Sequence, residues 1–169
     1  MGVALDRYSG HQVLDAVLHN MLVVQSNLAN TYQQLGRFQD ALVIHRKSYA
    51  YMLESGENPR YTLLALFNLA NTLTKMGNCA EVVSLLRDED ALSSAESVFG
   101  PEDPHTLTIS GTYATALLES PGATRDDMEK AIEILEKAER TSRRVSGEGH
   151  YRSLEAVRDL KSARVILDE

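Results

Sequence analysis

Cysteine is nearly absent from this sequence and tryptophan is wholly absent. A single thiol, Cys79, excludes a disulfide scaffold and a cysteine-built metal site, since each needs several. The 4 prolines and 10 glycines are spread too thinly for a collagen-like chain or a low-complexity linker. No apolar run approaches the roughly 20 residues that span a bilayer. The opening MGVALDRYSGHQ lacks the basic region and apolar core of a signal peptide. Gly2 does not complete a myristoylation motif, because Asp6 stands where Ser or Thr is required. With no Asn-x-Ser/Thr sequon and a lone thiol that suits a reducing compartment, a cytoplasmic location is expected.

Positive charge is also scarce. The chain has 17 basic against 24 acidic side chains, and residues 80–104 hold seven acids against one base, Arg87. Nucleic-acid binders need a basic footprint that displaces counterions, usually with aromatics interleaved, and no window supplies one. The stretch Arg140–Arg164 has seven bases with acids among them, so nucleic acid is not an expected partner. What is present is a composition 43% apolar over 169 residues, enough for one domain that buries about 70% of its unfolded surface.

The sequence repeats. Asn27-Leu28-Ala29-Asn30-Thr31-Tyr32, followed by Leu35-Gly36, returns 41 residues later as Asn68-Leu69-Ala70-Asn71-Thr72-Leu73, followed by Met76-Gly77. A weaker third copy, Thr112-Tyr113-Ala114-Thr115-Ala116-Leu117, lies a further 44 residues on. Start signals precede the later copies at Asn58-Pro59 and Asp103-Pro104, with an echo at Gly149–Leu154. Each unit reads as two helices, because apolar residues recur at helical spacing and no period-2 pattern competes. Leu28, Tyr32 and Leu35 line the first such helix, and Leu66, Leu69, Ala70 and Leu73 its successor. Gly36 and Gly77 are expected to close them in the left-handed conformation.

Ala41, Ile44, Tyr49 and Met52 line one second helix. Val82, Leu85, Leu86, Leu92, Ala95 and Phe99 line the next, and Met128, Ile132, Leu135, Ala138 and Val145 the last. Thr124 with Asp127 forms a capping-box variant at the start of that last helix. Pairs Glu133–Lys137, Glu136–Arg140 and Glu139–Arg143 are placed to bridge on its wet face. The first repeated helix is expected to begin near His11, with residues 1–10 undetermined. A final helix over 150–168, apolar along Ala156, Leu160, Ala163 and Leu167, has the polar outer side of an array cap. The N-terminus has no such cap, which sets the expectation of a piece cut from a longer array.

These residues resemble the tetratricopeptide repeats. Ala29, Ala70, Tyr32, Gly36, Gly77 and Ala41 sit at that family's spacing, although units of 41 to 44 residues exceed its roughly 34. The longer unit, the long second helix and the run Gly-Pro-Glu-Asp-Pro-His-Thr-Leu at 100–107 are similar to kinesin light chains and their relatives. The resemblance covers about residues 20–168. It implies an all-α fold, a right-handed α-α superhelix of about three helical hairpins plus a C-terminal capping helix. The expected units are 20–57, 58–102 and 103–148, with the cap at 150–168. The third copy departs from the pattern with Thr112, Thr115 and Ser120-Pro121-Gly122, and is expected to bind little.

No catalytic constellation is legible. The five histidines are isolated, with no His-x-x-x-His pair, and there is neither a glycine-rich phosphate loop nor a serine nucleophile motif. No enzyme activity, cofactor or metal is expected. Cys79 stands near a helix start, where the dipole lowers a thiol pKa, or else it is only a small residue at that position. A peptide-binding face is better supported. Asn27, Asn30 and Gln34 share one helix face by i+3 and i+7 spacing, as do Asn68, Asn71 and Lys75. A carboxamide both donates and accepts, so a ladder of Asn matches the backbone of an extended peptide. The resemblance assigns such Asn residues a backbone-holding role on the concave side; capping, packing or hydration of Asn is the alternative.

A carboxylate clamp is not expected, since Lys75 is the one base on that face and Ser26 and Phe67 occupy other clamp positions. The acidic stretch from Asp88 to Asp103 either attracts a basic partner or is a solvated surface. The expected function is thus a non-enzymatic adaptor or scaffold that binds a protein or peptide partner, with no membrane and no nucleic acid. The alternative is a structural array fragment without a separate ligand, which packs on further repeats or forms a homodimer through the N-terminal helix face around Val13, Val17, Leu18 and Val24.

Overall fold

The computed structural model describes residues 2–56, 58–88, 90–146, 160, 161 and 165, with residues 2–12 and 146 as backbone only. Seven helices and no strand are present among the described residues: α1 (Gly2–Gln34), α2 (Phe38–Ser55), α3 (Pro59–Lys75), α4 (Cys79–Asp88), α5 (Ala91–Val98), α6 (Pro104–Glu119) and α7 (Arg125–Ser146). The all-α class and the helical hairpins read from the sequence are what the structure contains. α1 starts at Gly2, ahead of the expected His11. The expected capping helix lies outside the described residues, apart from positions 160, 161 and 165, which are helical.

Local chemistry accounts for the helix ends. Gly36 and Gly77 adopt φ of 73° and 75°, conformations that cost a residue with a Cβ. Each gives the same pair of closing bonds. Arg37 N–H reaches the Tyr32 carbonyl at 2.8 Å and Gly36 N–H the Gln33 carbonyl at 3.0 Å; Asn78 to Leu73 and Gly77 to Thr74 repeat them at 2.9 Å each. These are Schellman closures, which satisfy carbonyls that a helix end leaves orphaned. Both Asx-Pro start signals operate too. Asp103 accepts the backbone N–H of His105 at 2.8 Å, and Asn58 Oδ1 accepts that of Arg60 at 3.0 Å, each with Pro at the first helical position. In the third unit Ser120, held extended by Pro121, ends α6 instead of a glycine.

The sequence places one continuous second helix over residues 82–99, and the structure corrects this. The helix breaks between α4 and α5 at Asp90, whose φ is 44° and whose N–H bonds the Arg87 carbonyl. Aspartate is a poor helix former that tolerates the left-handed region, so this acidic run is where the helix yields.

The chain divides into two compact units, Met1–Thr72 and Leu73–Glu169. In the first, Leu18, Leu22 and Ala29 of α1 bury against α2, which contributes Ala41, Leu42, Tyr49 and Met52. Leu28 and Leu35, expected as core, are 48% and 67% exposed, whereas Leu18, expected on an open face, is 2% exposed. In the second unit α6 is the central element, touching α4, α5 and α7. It buries Ile109, Tyr113, Ala114, Ala116 and Leu117. The buried row of α7 is Ala131, Leu135, Ala138 and Ser142, while Val145, expected in that row, is exposed. Ala29, Ala70 and Ala114, at the same repeat position, are all fully buried, because a methyl group lets neighbouring helices approach closely.

α7 opens on the expected capping box. Asp127 N–H reaches Thr124 Oγ1 at 3.2 Å, and Thr124 donates to the Asp127 carboxylate from its N–H at 3.1 Å and its hydroxyl at 2.7 Å. These bonds, with Arg87 at 3.2 Å, hold the Asp127 carboxyl below its ordinary pKa. Two of the three expected α7 pairs form, Glu136–Arg140 and Glu139–Arg143. Lys137 instead crosses to Glu96 of α5 at 2.5 Å.

Candidate functional site

In the first unit α1 and α3 run parallel, joined by a series of polar contacts. Asn58 and Tyr61 donate to the Asp15 carboxylate at 2.7 and 3.1 Å. The His19 and Tyr61 rings lie 5.8 Å apart. Further along, Asn68 Nδ2 donates to Ser26 Oγ at 2.8 Å, and Gln33 Nε2 to Thr72 Oγ1 at 3.0 Å. Thr72, fully buried, donates its own hydroxyl hydrogen bond to the Asn68 carbonyl at 2.9 Å. Burial and the Asp15 acceptor together push the Tyr61 pKa up. The α1–α3 register is therefore held at four levels by hydrogen bonds and rings.

This register positions the carboxamides read from the sequence. Asn27, Asn30 and Gln34 are exposed on α1, and Asn71 is half-buried on α3. None of these four side chains forms an intramolecular hydrogen bond among the described residues. Asn68 differs, since its amide nitrogen is committed to Ser26, leaving its oxygen as the remaining acceptor. Lys75 is exposed in the last turn of α3. Sequence spacing found the groups on each helix, but it had no signal for the pairing of position 68 with position 26.

The reactive-group candidates resolve differently. Cys79 is 2% exposed, and burial together with Glu119, 3.7 Å away, pushes its pKa up. Desolvation outweighs the helix dipole here, so the lowering read as one alternative from the sequence does not occur. No group of three metal-ligating side chains lies together among the described residues, and no described helix is long and apolar enough to cross a membrane. A cleft of about 470 Å³ in the second unit, lined from α4, α5, α6 and α7, went unnoticed in the sequence. Tyr113 lines it, its hydroxyl accepting from Lys130 at 3.3 Å, and the contact of Arg87 with Tyr113 and then with Asp127 pushes the Arg87 pKa up. Its walls balance Arg87, Lys130 and Lys137 against Asp90, Glu96 and Glu133.

Parallel first helices, each closed by a left-handed glycine and followed at once by a second helix, define a helical-repeat protein. Residues 20–89 match the family model for the tetratricopeptide repeat. The fold is shared with kinesin light chain-like repeat proteins. A crystal structure of kinesin light chain nearly identical TPR-like repeats from Podosopora anserina aligns with a TM-score of 0.73 at 24% identity, over 86% of this chain and 66% of that one. The crystal structure of BtubC (BKLC) from P. vanneervenii aligns with a TM-score of 0.67 at 18% identity, over 96% and 66%. The chain thus spans 66% of the length of each of these two solved chains. No curated protein matches the sequence. The resemblance read from the repeats is therefore shown, by the family model over residues 20–89 and by the shared fold.

Proposed function

We propose that the chain is a non-enzymatic, cytoplasmic adaptor that holds an extended peptide segment of a partner protein along the side shared by α1 and α3. Asn30 and Asn71 contact the peptide backbone, Asn27 and the free oxygen of Asn68 extend the row, and Gln34 and Lys75 close it at the C-terminal ends of the two helices. Units 20–57, 58–102 and 103–148 are the repeats of this scaffold. The observation that carries the reading is the set of uncommitted carboxamides on a register already fixed by other bonds. Pre-organised groups that need no rearrangement lose little ordering entropy on binding.

The test is fluorescence polarisation of a labelled library of extended peptides against the purified chain. A subset is expected to bind. An Asn30→Ala/Asn71→Ala variant with unchanged circular dichroism should lose about 2 kcal/mol, roughly thirtyfold in Kd. Absence of binding across the library, or binding indifferent to both substitutions, refutes the assignment. A second reading, a structural array that self-associates, draws support from the exposed apolar side of α1.

A further inference from the structure

In the second unit α4, α5 and α7 all pack on α6, and two ion pairs tie α7 to the other two. Arg87 meets Asp127 at 3.2 Å, and Lys137 meets Glu96 at 2.5 Å. The partners lie 40 and 41 residues apart, so the two rungs follow the repeat and α7 runs parallel to α4 and α5. Between the rungs the backbone breaks at Asp90, and the cleft of about 470 Å³ opens there. That volume lies within the roughly 300–1,000 Å³ of clefts that hold ligands.

The cleft carries a buried polar group where the repeat has none. Tyr113 occupies the position of Leu28 and Leu69 in the other two copies, and it is 2% exposed. Its hydroxyl accepts from Lys130 at 3.3 Å and is reached by Arg87, so both lone pairs are used and its own O–H remains to donate. Lys130 lies 5.2 Å from the Tyr113 ring centre and has no carboxylate partner among the described residues. Asp90 and Glu133 also line the cleft, and among the described residues neither side chain forms an ion pair or hydrogen bond. One cation, two carboxylates and a phenolic donor are thus unmatched between rungs that are themselves neutral. Lys130 and Glu133 stand three residues apart on one face of α7, so the matching ligand carries both signs about a helical turn apart. A wholly acidic segment would face Asp90 and Glu133, and a wholly basic one Lys130 and Arg87, and such like-charge contacts disfavour both. Leu86, Leu92 and Ile134 supply apolar wall for the aliphatic stems of long charged side chains.

We propose that this cleft is a second binding site, for a peptide segment of a partner in which a basic and an acidic side chain stand close together. Asp90 and Glu133 take the basic group, and Lys130 with the Tyr113 hydroxyl takes the carboxylate. The site shares no residue with the carboxamide row on α1 and α3. It gives the third unit, in which Thr112 and Thr115 replace the Asn residues of that row, a ligand of its own.

The test is titration of the nitrogen-15-labelled full chain with short capped peptides, of alternating lysine and glutamate, of lysine alone and of glutamate alone, followed by amide chemical shifts. The alternating peptide is expected to bind most tightly and to shift the amides of Asp90, Ser93 and Glu133. Lys130→Met and Glu133→Gln, both at exposed positions and both keeping good helix formers, should each raise its Kd about fivefold with the helical signal unchanged. Tyr113→Phe, which removes only the hydroxyl, should weaken binding in the same direction. Glu133→Lys should turn the preference toward the glutamate peptide. Lys47→Met on α2 and the Asn30→Ala/Asn71→Ala variant should bind as wild type does, which separates this site from the α1–α3 row. Absence of shifts at the cleft, a wild-type preference for either single-sign peptide, or indifference to Lys130→Met or to Glu133→Gln overturns the proposal.

Discussion

At Gly36 and Gly77 a single residue decides where a helix stops. Nothing lies within 4 Å of a Cβ built at either position, so substitution meets no steric neighbour and its cost is conformational alone. Gly36→Ala and Gly77→Ala are each expected to destabilise the chain by about 1–2 kcal/mol, with Gly36→Asn costing less because Asn visits the left-handed region more readily. Urea denaturation followed by circular dichroism measures this, and an alanine variant as stable as wild type would contradict it. Arg37, just beyond Gly36, stacks 4.4 Å from the Tyr32 ring centre and bonds Asp40 at 2.6 Å, tying the closed end of α1 to the start of α2.

Among the elements, α7 is the one whose start depends most clearly on an ionised group. A carboxyl held below its ordinary pKa in the folded state binds fewer protons there than in the unfolded chain. Asp127 therefore contributes stability that is fully present above the ordinary carboxylate range and is lost as the pH falls through its folded pKa. Asp127→Asn should lower stability at neutral pH and flatten that acid-side decline, and Thr124→Ala should cost about 1 kcal/mol by removing the cap. The measurement is a series of thermal melts from neutral to acid pH, and parallel curves for wild type and Asp127→Asn would show the box to be energetically silent. The α4–α5 break belongs to this scale as well. Its three consecutive acidic positions were visible in the sequence as charge, but the place where the backbone turns left-handed was not.

For the molecule as a whole, equivalent positions in a repeat are not energetically equivalent. Leu69 and Leu28 share a register, yet Leu69 is 4% exposed and Leu28 is 48% exposed. Leu69→Ala should cost about 2–5 kcal/mol through lost burial and the cavity left behind, whereas Leu28→Ala should cost less than about 1 kcal/mol in the monomer. Chemical denaturation at a concentration too low for association compares the two, and equal costs would mean that this side of α1 is covered within the chain itself. Nearest-neighbour contact is the general rule for arrays, in which each unit is stabilised by what stacks on it.

By itself the sequence determined the helical class, the 41-residue period, the closing glycines, the Asx-Pro starts and the α7 capping box. All of these rest on interactions within a few residues, where the side chain chosen dictates the backbone beside it. The carboxamides of Asn27, Asn30 and Gln34 were legible as one face for the same reason, because helical spacing alone places them. Tertiary structure decided that Asn68 is committed to Ser26, that Lys137 bonds Glu96 and not Glu133, that Leu18 is buried while Leu28 is wet, and that the Cys79 thiol is desolvated. Those outcomes depend on which helix lies against which, and a pattern of apolar spacing records that a side is buried without recording the neighbour that covers it.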